Sequence, residues 1–252
     1  MEFLNTIDEL NALYGVVSEG AKRKGADHLT LLYTKWIEAS RFCVLATVGP
    51  EGIDASPRGD DGPVVAIADP KTLLMPDWRG NNRLDSPRNI VRDGRVSLVF
   101  MIPKIRDVVR VNGHAKLRTD KDRCAKFQRQ THLPKTVIHI TVEEVYIHCP
   151  KSVIRSHLWE GDKPKDIPSI GDILREVTDN ELGTGNFDQK AAERAKDSLV
   201  VTDSSPVGLH DGKSTREKGR CCQDGTNVVQ TSPHCNQIAD FLLQRRFPMR
   251  NL

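Results

Sequence analysis

Two short stretches concentrate side chains that grip anions. Residues 75–90, MPDWRGNNRLDSPRNI, set Arg79, Arg83 and Arg88 among Asn81, Asn82, Asp85, Ser86 and Asn89, with little that is apolar to bury. A guanidinium holds a phosphate or carboxylate through two parallel hydrogen bonds, and a helix start adds free amides and the positive end of its dipole. A polar loop between a strand ending near Met75 and a helix ending near Asp93 suits such a group; a solvated surface loop has the same composition. The second stretch, DASPRGDDG at residues 54–62, sets Ser56 and Arg58 at a strand end beside Gly59, which permits close backbone approach. Two such clusters flanking one hairpin can converge on one anion.

The rest of the chain must position these groups. Residues 5–14 and 28–39 carry apolar side chains at helical spacing, with Leu29, Leu32, Tyr33 and Trp36 suggesting one buried face. Short Val- and Ile-rich runs follow at 42–48, 64–68, 73–75, 96–102, 108–117 and 137–147, broken by GPEG, DDGP, DPK, RDG and PKI. Gly and Pro set the turns between them, so six short strands predict an antiparallel barrel or sandwich. VVRVNGHAKLR alternates Val109, Val111 and Gly113 with Arg110, Asn112 and His114, leaving one strand face with donors free for a ligand. Further helices are expected from Thr119 or Asp120 to Gln130, from Lys151 to Trp159, and over PSIGDILREV.

Composition limits the partners. Within 252 residues, 37 Lys and Arg face 34 Asp and Glu, a formal charge of +3 that gives no global field for nucleic acid or membranes. Aromatic residues make up 5% of the chain, and Trp78 alone stands near the basic clusters, too few to stack bases. The longest apolar run, 96–102, is far below a bilayer span, and the first ten residues lack signal-peptide character, so a cytoplasmic protein is expected. Beyond about Gly183 the sequence is rich in Ser, Thr, Gly, Asp and Lys and cannot bury enough surface to offset its conformational entropy; little fixed structure is expected before about residues 238–246.

The order RFCVLATVGPEGIDASPRGD, LLMPDWRGNNRLDSPRNIVRDGRVSLVF, VVRVNGHAKL and HCPKSVIRSHLW is similar to the pyridoxamine 5'-phosphate oxidase-like, FMN-binding split-barrel family over roughly residues 29–177. Within it the chain resembles a subgroup of flavoproteins marked by SPRGD and RGNNR. The resemblance implies a mainly β fold with flanking helices, a six-stranded antiparallel split β-barrel, a homodimer and one FMN in each of two interface clefts. Carried over by position, Ser56, Arg58 and Gly59 lie along the strand that meets the flavin and its phosphate. Arg79, Asn81, Asn82, Arg83 and Ser86 occupy the phosphate-binding loop and helix start. Arg110 and Asn112 stand on the strand whose polar face meets the ring or ribityl chain, and Lys151 and Trp159 match residues that approach the cofactor, including that of a partner subunit. Pro87 has two readings: the helix starts there with Ser86 as its cap, or starts near Asn82 and bends at the proline.

The expected organisation is a helical segment at 1–40, the FMN-binding barrel at 41–150, packing helices at 151–182 and a polar tail at 183–252. The expected activity is that of an FMN-dependent oxidoreductase acting on a small molecule, with a non-catalytic flavin-binding protein or a deazaflavin-dependent reductase as alternatives. No side chain stands out as a general acid or base, and no substrate can be read. GTGN at Gly183 and GLHDGKST at Gly208 are incomplete nucleotide-binding patterns. Cys221, Cys222, His234 and Cys235 lack the Cys-x-x-Cys spacing of a zinc site, so no metal is expected. Cys43 and Cys149 are read as barrel-core or edge residues, and His114, His139, His148 and His157 as ordinary surface or strand histidines.

Overall fold

Alternation of apolar and polar residues along Val-rich segments builds one antiparallel sheet, against which α3, α4 and α5 pack. The computed structural model describes residues 3–198 apart from 79, 81, 130, 131, 163 and 165. In chain order the elements are α1 (Ile7–Tyr14), α2 (Glu19–Arg23), α3 (Leu31–Ala39), β1 (Phe42–Gly49), β2 (Gly52–Gly59), β3 (Ala66–Asp69), β4 (Thr72–Asp77) and α4 (Asp85–Arg92). They continue with β5 (Arg95–Met101), β6 (Val108–Arg118), α5 (Lys121–Ala125), β7 (Thr136–His148), α6 (Lys151–Arg155), α7 (Ile170–Val177) and α8 (Phe187–Ser198). The strand order is β2-β1-β5-β6-β7-β4-β3, with every neighbouring pair antiparallel.

The mainly β antiparallel fold with flanking helices is as expected, and the sheet carries seven strands, one more than the apolar runs mark. The seventh, β2, has no apolar run because its inward side chains are Asp54, Ser56 and Arg58, set opposite Thr47, Leu45 and Cys43 of β1. On the other strands the inward positions are apolar: Leu45, Leu73, Met75, Leu98, Phe100, Val111, Ile138 and Ile140 are almost fully buried in one cluster. Each such side chain contributes about 1.5–3 kcal/mol by leaving water. At the β6–β7 ladder a one-residue shift after Asn112 brings Gly113 against the Thr141 carbonyl, closer than any side chain could pack.

The helices follow their caps. Thr6 and Glu9 form a reciprocal capping box on α1, Thr30 caps α3, and Ser169 with Asp172 boxes α7. On α3 the buried face is Ile37 with Tyr33 and Trp36 partly buried beside it; Leu29 is buried but precedes the helix, and Leu32, expected on that face, is exposed. The helices expected to reach Gln130 and Trp159 end at Ala125 and Arg155. Within the segment expected to lack fixed structure, α8 is helical, and its Asp188 accepts from Ser169 Oγ (2.6 Å) and the Gly171 amide (2.9 Å). Residues 199–252, with the P-loop-like stretch, the Cys221, Cys222, His234 and Cys235 group and residues 238–246, lie outside the described residues. Among the described residues no helix is long and apolar enough to cross a membrane, and no group of three or more metal-ligating side chains forms.

Pro87 follows neither expected reading. Helix α4 starts at Asp85, with Leu84 at the N-cap, so Pro87 is its third residue. The first intrahelical bond runs from the Arg88 amide to the Leu84 carbonyl (2.9 Å), one residue beyond the proline. The ring therefore sits where an amide has no helical partner to lose. Pro87→Ala is expected to shift stability by less than about 1 kcal/mol, against about 3 kcal/mol for an interior proline; chemical denaturation checks this.

Three cysteines are described. Cys43 and Cys124 are buried and Cys149, just after β7, is exposed. Burial pushes the Cys43 thiol up to about 12, against a smaller lowering by Arg58. Alkylation of the native protein near neutral pH, read by peptide mass spectrometry, is expected to modify Cys149 and spare Cys43 and Cys124 until the chain unfolds.

Candidate functional site

The polar column of β2 organises the arginine-rich loop. Ser86 on α4 is buried and donates its hydroxyl to Asp54, while Asn89, one turn later, donates to Thr47 of β1 (3.2 Å). Gly49 leaves room for the Asn89 amide, since any Cβ there would collide with it. The loop is thus fastened at its α4 end to the start of β2.

Its other end is fastened where β2 finishes. Arg58 Nη1 donates to Asp77 at the end of β4 (2.6 Å), each side chain 20% exposed. Trp78 Nε1 donates to Asp60 (3.2 Å), and Arg129 grips the same carboxylate with both Nη atoms while stacking over the Trp78 ring, 4.8 Å from its centroid. The Asp60 side chain is 5% exposed, so its charge is met by hydrogen bonds rather than by water. A recess of about 150 Å³ lies here, lined by Pro57, Arg58, Gly59, Met75 and Trp78 among others. The Arg58 Nε is buried and has no partner.

Between these fastenings Ser56 is half-buried, Gly59 and Asn82 are exposed, and Asn82 adopts a left-handed backbone at φ 59°. Arg83 pairs with Asp85 (2.5 Å) in an exposed position. Asp85, and more weakly Asp54, hold its guanidinium above the ordinary arginine value. The N-cap residue of α4, Leu84, makes no side-chain capping bond. Arg79 and Asn81 lie outside the described residues. Ser56, Arg58, Asn82, Arg83 and Ser86 thus belong to one region, the inner column of β2 and the loop fastened to it.

Arg110 and Asn112 belong elsewhere. In register, Pro57, Val44, Val99, Arg110 and Tyr146 form one row across β2, β1, β5, β6 and β7, and Ala55, Ala46, Ser97, Asn112 and Glu144 form the next. These rows lie on the face opposite Arg58 and Ser56. Asn112 is fully engaged: its Oδ1 accepts from Ser97 (2.8 Å) and its Nδ2 donates to Glu144 (2.8 Å). Arg110 stacks over Tyr146, 5.4 Å from the ring centroid, and its buried Nε has no partner. Trp159 Nε1 donates to the Ile105 carbonyl (2.8 Å) and fastens the turn after α6 to the loop before β6; Lys151 is exposed at the start of α6.

Sequence reasoning overlooked the carboxylates. Asp54 holds Ser86 and Asp77 holds Arg58, both predicted site residues, while Asp60 holds Trp78 and Arg129, the latter from 69 residues away. The alternation of Asp54, Ser56, Arg58 and Asp60 at period two is the available signal, since it marks a strand with a polar inner face.

Comparison with known proteins gives one family-model match and several similar solved structures. The family model described as pyridoxamine 5'-phosphate oxidase matches residues 31–149. HupZ of Group A Streptococcus is similar at 20% identity and a TM-score of 0.39, over 46% of this chain and 91% of that one. An FMN-binding protein from Syntrophomonas wolfei subsp. wolfei is similar at 13% identity and a TM-score of 0.36, over 47% and 90%. A general stress protein 26 from Bacillus anthracis str. Sterne gives 19% identity and 0.36, over 45% and 88%. No curated protein matches the chain. Residues 31–149, the segment that matches the pyridoxamine 5'-phosphate oxidase family model, contain all seven strands together with α3, α4 and α5.

Proposed function

We propose that the protein is an FMN-dependent oxidoreductase. The carrying observation is that only three buried side-chain nitrogen or oxygen atoms among the described residues lack a partner, and two are the Nε atoms of Arg58 and Arg110. A buried guanidinium nitrogen without an acceptor leaves a donor that a ligand oxygen or a water can satisfy. Both arginines are flavin contacts by the sequence resemblance, in line with the family-model match over residues 31–149.

Residues near the start of α4 suit the phosphate. Arg58, Ser56, Asn82 and Arg83 supply donors there, with the uncapped amides of α4 and, by position, Arg79 and Asn81. Ser86, committed to Asp54, sets the helix rather than the ligand. Arg83 must exchange Asp85 for the phosphate, so the carboxylate competes with the cofactor. Bound FMN would supply hydride or electron transfer; the protein's share is to anchor, orient and exclude water.

Because Arg58 and Arg110 stand on opposite faces of the sheet, we propose that a second copy of the chain completes the cleft as a homodimer. The outer rows supply suitable surface, with Val44, Val99 and Met101 half-buried and Ile53 82% exposed beside them. Cytoplasmic location and a small-molecule substrate belong to the same reading.

Arg83 gives a cleaner test than Arg58, whose removal also frees Asp77 within the fold. Arg83→Ala is expected to weaken FMN about tenfold to a hundredfold, the value of charged hydrogen bonds, and to leave riboflavin unchanged. Asp85→Asn is expected to tighten FMN severalfold by removing the competitor. Fluorescence titration of both flavins checks this; equal losses for FMN and riboflavin would remove Arg83 from the phosphate.

A further inference from the structure

The N-terminal segment delivers a second cation to the Arg110 end of the outer face. Ala26 joins β7 through two backbone bonds with Val145 (2.9 and 2.8 Å). The Lys24 carbonyl accepts from the Tyr33 hydroxyl (2.7 Å), whose oxygen in turn accepts from the Ile147 amide (3.1 Å). Residues 24–26 are thereby tied to both chain neighbours of Tyr146. The half-buried Lys24 lays its Nζ over the Tyr146 ring, 5.6 Å from the centroid, and the Arg110 guanidinium stands 5.4 Å from the same centroid.

A single cation over a ring has an ordinary packing role. Two on one ring repel, and among the described residues neither Lys24 nor Arg110 forms an ion pair. Glu144 carries the carboxylate of the adjoining row, and it accepts from Asn112 (2.8 Å). One carboxylate against two cations leaves this end of the face net positive, and the buried Arg110 Nε still lacks an acceptor. In the proposed function Arg58 and the start of α4 take the phosphate, which leaves Arg110 for the flavin ring or its ribityl chain. A hydride from a dihydronicotinamide brings two electrons and a proton; the donor leaves as its nicotinamide cation, and the ring is left with one negative charge. Cations beside that charge in a cleft shielded from water favour it far more than they would in bulk solvent.

We propose that Lys24 and Arg110 form an electrostatic pair that stabilises the reduced flavin and so raises its reduction potential, with Tyr146 holding both cations in place. Lys24 thus joins the site as a residue that acts on the redox equilibrium of the cofactor and not on its anchoring. This rests on the flavoprotein reading.

The test is the reduction potential of the FMN-loaded full chain, read by spectroscopic equilibration with a reference dye. Lys24→Gln is expected to shift the equilibrium about tenfold toward oxidised flavin, which is about 30 mV for a two-electron couple. By linkage, this variant should bind reduced FMN about tenfold more weakly and oxidised FMN equally well. Lys24→Arg should keep the wild-type potential, and so should Arg23→Gln, which removes the exposed cation next to Lys24 in the chain. Riboflavin should show the same shift as FMN, because the charge acts on the ring and not on the phosphate. Should Lys24→Gln fail to fold, Lys24→Met, which keeps an apolar stem on Tyr146, is read in its place. An unchanged potential in the neutral variant, an equal shift in Lys24→Arg, or equal losses of oxidised and reduced FMN would overturn the proposal and leave the flavoprotein reading standing. If the wild-type chain takes up no FMN, both fall.

Discussion

The ion pair between Arg58 and Asp77 is the contact on which the architecture of the site depends. In the strand order, β2 is at one end and β4 with β3 at the other, and hydrogen-bonded ladders join only neighbours. Side chains join the two ends: Arg58 pairs with Asp77, and Asp60 holds Trp78 and Arg129. A sheet curled so far that its first and penultimate strands meet through side chains leaves a mouth instead of a seam. The recess of about 150 Å³ lies in that mouth.

This closure has an energetic consequence. Charges placed near a core cost desolvation, and each is tolerable only while its partner remains. Asp54, Ser56, Arg58 and Asp60 line one face of β2 where other strands carry Leu, Val and Ile, so β2 contributes little apolar burial. In return, Asp54 and Asp60 pin both ends of the loop that follows β4. Asn82 and Arg83, which lie between these two fastenings, are exposed. An anion arriving there meets arginines already paired with carboxylates, and selectivity then comes from how readily each pair exchanges.

Much of this was legible in the sequence. The central strands followed from Val-rich runs and turn residues, and the helix starts from Thr6, Thr30 and Ser169. Strand β2 was harder, because the pattern that marks a strand is usually apolar alternation and here the inner positions are ionic. The α4 start differs from both sequence readings because the first turn of a helix accepts proline with neither a cap at Ser86 nor a kink. Contacts between residues 18 to 69 apart, such as Trp78 with Asp60 and Asp60 with Arg129, depend on topology and left no local trace. The separation of Arg58 and Arg110 onto opposite faces was also hidden, since parity along a strand fixes a face only once the pairing is known.

The most direct measurement is a visible absorption spectrum of the purified full-length protein, reconstituted with FMN, together with mass identification of any cofactor released on denaturation. The account predicts a protein-bound flavin band and release of FMN at a stoichiometry approaching one per chain. A colourless protein that saturating FMN neither colours nor stabilises, or release of a deazaflavin instead, would contradict it.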